Sequence, residues 1–148
     1  MRHDRVLALA AILTALSGPA WAGDLTYQHH RDGPDLLERS DGQPYWLLLG
    51  ECAGFYGALA NVATSEGDYD RDLAEGVRYF NSALARLRAD RQLDRAGAVA
   101  LLEPRVTQAR RVGESSLAQA SGGSLTPDQI LRSTCGSVDR IYRTAGGS

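Results

Sequence analysis

The chain has 148 residues, with 18 acidic side chains against 16 basic ones, all of them arginine, and a net charge of −2. That balance excludes a general binder of nucleic acid or of anionic membrane, which needs a clustered positive excess. Only two cysteines are present and 43% of residues are hydrophobic, which excludes a disulfide-dense miniature scaffold and suits one domain with its own core.

Residues 1–22 have the three regions of a secretory signal peptide. Arg2 and Arg5 lead, an apolar run from Val6 to Leu16 follows, and Ala20-Trp21-Ala22 ends the segment with small residues. The apolar run is too short for a comfortable membrane-spanning helix, so cleavage after Ala22 is expected. Export places Cys52 and Cys135 in an oxidising compartment, where two cysteines imply one intramolecular disulfide. No Cys-x-x-Cys pair or adjoining histidine completes a zinc set.

Residues 23–42 read as an irregular polar arm punctuated by Asp32-Gly33-Pro34 and Ser40-Asp41-Gly42. Leu36 and Leu37 either tack it to the body or belong to a short helical turn begun by Asp35. His29 and His30 lie beside Asp32 and Asp35, donors that suit a transition metal. Neighbouring side chains on an extended segment diverge, however, which favours a solvated arm over a chelate.

Residues 43–148 read as the helical domain. The first helix runs from about Pro44 to Ala63, with Leu48, Cys52, Phe55, Leu59 and Val62 at helical spacing. Ala53, Gly57 and Ala60 form a small-residue side, and Gly50-x-x-x-Gly54 is a spacing that also occurs in packed membrane helices. Glu51 and Asn61 would be costly in lipid, so no stable membrane insertion is expected. The second helix restarts within Ser65–Asp72 and reaches Arg91. Acids lead it, arginines close it, and Leu73, Val77, Phe80, Leu84 and Leu87 form its expected core stripe. The third covers about Asp94 to Ala120 with Val99, Leu102, Val106, Ala109 and Val112 inward, and Pro104 predicts a kink or break near 101–103. Ser121-Gly122-Gly123-Ser124 ends it. The last helix opens on Thr126-Pro127-Asp128-Gln129, a capping box with proline at its first position, followed by Ile130, Thr134, Val138 and Ile141 on one face with Leu131 and Cys135 beside them.

Four amphipathic helices with short connections predict an all-α, four-helix-bundle-like domain with an irregular N-terminal arm, braced by the Cys52–Cys135 disulfide. Three groups stand out as candidate sites. Glu51, if buried, needs a cation, and Arg132 and Arg140 are the candidates because the disulfide draws their helix close. Tyr45 and Trp46 either close the end of the core or, if exposed, anchor an interaction. The third is the His29–His30 arm. No nucleophile–base pair, singled-out acid pair or nucleotide loop is present, so no catalytic residue, cofactor or metal is assigned. The resulting expectation is an exported binding or structural protein of the cell envelope, acting by contact with another exported or envelope protein. An inhibitor or immunity protein for an envelope-acting toxin or hydrolase is one alternative, and a small-ligand or metal carrier another.

Overall fold

A helix that is apolar on every side belongs in the middle of a bundle, and the stretch after Pro44 is such a helix. In the computed structural model, which describes residues 23–29, 35–119 and 123–147, α1 spans Tyr45–Asn61 and buries twelve of its 17 residues. Around it lie α2 (Glu66–Arg91), α3 (Arg95–Leu117) and α4 (Pro127–Thr144). The described residues form an all-α four-helix bundle, and the disulfide joins Cys52 of α1 to Cys135 of α4 with their Cα atoms 5.6 Å apart. The expected signal segment, His30 and the Asp32-Gly33-Pro34 turn lie outside the described residues, as do Ser121 and Gly122.

Local chemistry sets the helix starts. Ser65 accepts from the Asp68 N–H at 3.1 Å, Asp94 from the Gly97 N–H at 2.7 Å, and Thr126 and Gln129 form a reciprocal capping box. Pro44 stands one position earlier than expected, as the N-cap of α1. Pro104 does not break α3, which is helical throughout Arg95–Leu117. Ala100 and Pro104 both face solvent, so water can satisfy the carbonyl that proline leaves without a donor.

Between α1 and α3 the contact is made by small residues. A Cβ added at Gly54 would stand 2.7 Å from the Arg110 amide nitrogen and 2.8 Å from Ala109 Cβ, so only glycine admits the α3 backbone here. Gly113 of α3 returns the relation, facing Ala58 and Phe55. Dense packing of this kind tolerates no added methyl group without displacement.

The α4 side is fastened differently. Besides the disulfide, the buried Tyr79 hydroxyl of α2 donates to the Cys135 carbonyl at 2.8 Å. Arg78 bridges Glu75 of its own helix and Asp139 of α4, at 2.8 and 3.1 Å.

The arm is more ordered than its composition suggests. Thr26 pairs with Pro44 in a single antiparallel bridge, the Tyr45 N–H donates to the Leu25 carbonyl, and the Leu25 N–H donates to Asp90 of α2. Asp35–Ser40 is a 3-10 helix that buries Leu37. The arm thereby covers the start of α1.

Three expected stripes are buried only in part. On α2 the residues turned inward are Asp72, Tyr79, Ala83, Leu84 and Leu87, whereas Leu73 and Val77 are 44% and 53% exposed. On α3 Leu102 and Ala109 are buried as expected but Val112 is exposed, and on α4 Leu131, Cys135 and Val138 are buried as expected, with Tyr142, while Ile130 is exposed. Each helix carries more apolar circumference than its neighbours cover, so tertiary contact selects the buried face.

Candidate functional site

Exposed apolar residues are ordinary when single and informative when contiguous. Leu73, Val77 and Phe80 recur at steps of four and three along α2, so they share one face. They form one wall of an open groove of about 240 Å³, with Val106 of α3 opposite and Ala53, Gly57 and Gly76 as its floor. Every lining residue is apolar or glycine. Tyr69, 43% exposed, extends the same face by one turn toward the start of α2. The groove exists because α2 and α3 meet near their connecting turn, where Leu84, Leu87, Ala98 and Leu102 are buried, and leave Leu73 and Val77 uncovered farther along. Small floor residues on α1 then make a trough.

Glu51 lies in a second, smaller cleft of about 200 Å³ with Leu47, Phe55, Arg105, Gln108 and Val112. It is half-buried, and burial pushes its carboxyl above the ordinary value, an effect that Arg105 partly offsets. Its electrostatic neighbour is therefore Arg105 of α3, not Arg132 or Arg140.

Arg132 serves another acid. Its guanidinium makes paired bonds of 2.7 and 2.8 Å to the two carboxylate oxygens of Asp72, holds Asp128 at 3.2 Å and lies over the Tyr56 ring. Asp72 is 1% exposed, and these bonds hold the Arg132 guanidinium well above its usual range. The groups satisfy one another, which makes the pair a fastening of α4 to α2. Arg140 is exposed and borders a cleft of about 410 Å³ with Thr26, Gln28 and Tyr45.

Tyr45 and Trp46 are not surface anchors: they are 3% and 2% exposed. Tyr27 meets the Tyr45 ring edge-on and Tyr142 packs on it at 5.2 Å. The Trp46 indole donates to Asp24, and Arg91 lies over its ring. The arm, whose irregular sequence carries no periodicity, supplies Tyr27 and Asp24 to this cover, and α4 and α2 supply Tyr142 and Arg91.

His29 is fixed as part of a turn. Its N–H donates to Asp41 at 2.6 Å and its Nδ1 lies 2.9 Å from the Tyr27 hydroxyl. His30 is outside the described residues. Among the described residues no group of three or more histidines, cysteines or acids is placed to hold a metal, and no helix is long and apolar enough to cross a membrane.

Sequence reasoning missed the groove by assigning its wall to the core. A competing stripe was present: Asp72, Gly76, Tyr79, Ala83 and Leu87 also follow helical spacing, and that stripe faces the bundle. Two candidate inward stripes on one helix signal one face left over. No protein-family model, curated protein or solved structure matches the chain.

Proposed function

We propose that this is an exported protein of the cell envelope that works by protein–protein contact, and that the α2 groove is its contact surface. Export rests on the basic, apolar and small-residue regions of residues 1–22, and a disulfide-braced bundle is suited to an oxidising compartment. The observation that carries the contact reading is the uninterrupted apolar lining between Leu73, Val77, Phe80 and Val106. An apolar trough between two helices, floored by small residues, has the shape that accepts an amphipathic helix. Burial of exposed Leu and Val side chains supplies the driving force, at about 25 cal/mol per Å² of apolar surface removed from water.

The test is a photo-crosslinking residue at Val77, compared with one at Thr144 on the far end of α4, in the cells that make the protein. A discrete protein adduct at Val77 and none at Thr144, with Gly23 at the mature N-terminus, is the expected result. Irradiation at Val77 that leaves only uncrosslinked chain would refute the contact reading. Recovery of the unprocessed chain from the cytoplasm would refute export.

A further inference from the structure

We infer that the occupant of the α2 groove is a second copy of this chain, packed α2 against α2 in antiparallel fashion about a two-fold axis near Val77. The inference rests on the contact reading above and names its partner.

Charge order carries it. At 3.6 residues per turn, Glu66 and Asp70 project from the same side of α2 as Leu73 and Val77, and so does Arg88 toward the other end. All three charged residues are exposed. The exposed residues of this face therefore read acidic, apolar, basic, with the buried Leu84 between Phe80 and Arg88. An antiparallel image of itself is its complement: with Val77 on the axis, Leu73 meets Phe80 of the second copy and Glu66 falls opposite Arg88. Each of those contacts occurs twice, because a two-fold interface uses the same patch on both chains. A parallel arrangement would set acid on acid and arginine on arginine. The small-residue floor adds room, since Gly57 and Gly76 project no side chain that would hold an incoming helix away.

The arrangement is tested by sedimentation of the purified, processed protein over a wide concentration range, at low and high salt. A monomer–dimer equilibrium that weakens with salt is expected. Leu73→Glu combined with Val77→Glu should give monomer with unchanged helix content, because neither residue belongs to the core. Glu66→Arg or Arg88→Glu alone should raise the dimer Kd about five- to tenfold. The double exchange, Glu66→Arg with Arg88→Glu, should restore it. Failure of the double exchange to restore association overturns the antiparallel geometry. Monomer at every attainable concentration overturns the second-copy inference. If the Val77 probe still crosslinks to a different protein in that case, the contact reading stands, and if it crosslinks to nothing, both fall.

Discussion

The two sides of α1 are joined to the rest of the bundle by different means. Toward α3 the contact is one of shape, with Gly54 and Gly113 letting backbones approach until an added methyl group has no room. Toward α4 it is one of chemistry: a disulfide from α1, and from α2 a two-pronged Asp72–Arg132 pair, a tyrosine-to-carbonyl bond and the Arg78–Asp139 bridge. Contacts of shape fail when something is added. Contacts of chemistry fail when one partner is removed.

The largest expected effect lies on the α4 side. Replacing Cys52 and Cys135 by alanine opens a loop spanning 83 positions, which on the chain-entropy estimate lowers stability by up to about 4.5 kcal/mol. Urea midpoints with and without reductant measure this directly, and coincident curves would mean that α4 is held without its crosslink.

Next comes Arg132→Met, which leaves Asp72 buried with only the longer 3.7 Å approach of Arg71. A loss of about 3 kcal/mol is expected, at the low end of the buried-pair range because Arg132 is one-third exposed. Arg140→Met, on the same helix but exposed, should stay within about 0.5 kcal/mol of the parent. Equal losses from the two variants would remove the distinction between a fastening and an ordinary surface charge.

Gly54→Ala tests the opposite side. Forcing α3 away from α1 should cost about 1–3 kcal/mol even though the substitution favours helix locally. A stabilised variant would show that the α1–α3 contact is not limited by space.

The smallest effect should come from Glu51, at the rim of that same contact. Its folded pKa lies above the ordinary 4.5, so the folded state keeps a proton that the unfolded state has released. The associated stability is complete below 4.5 and is lost as pH rises through the folded value. Glu51→Gln should flatten that fall and be more stable than the parent at neutral pH, as thermal midpoints across the acid range would reveal.

How legible this was in the sequence depended on how local the cause was. Ser65, Asp94 and Thr126–Gln129 bond within three residues of themselves, so the helix starts were readable. The disulfide followed from a count of two. Arg132 entered only as a candidate partner for Glu51, whereas the acid it holds is Asp72. Asp72 stands among Asp68 and Asp70 and resembled part of the charged first turn, whereas its burial depends on where α4 crosses. The orientation of Leu73 and Val77 and the cover over Tyr45 and Trp46 are likewise decided by which segments arrive. α2 carries two stripes and nothing within it encodes which one is covered, and nothing within the arm encodes the cover it supplies.

The position of the crosslink also fixes an order of events during synthesis. Cys52 lies in α1 and Cys135 in α4, so the bond has no second sulfur until α2 and α3 have both been made. That leaves the first three helices free to find one another beforehand through contacts between sequence neighbours, the fast kind to form. On that order oxidation acts as a latch, and a chain truncated before residue 135 should retain the α1–α3 seam while having nothing to close.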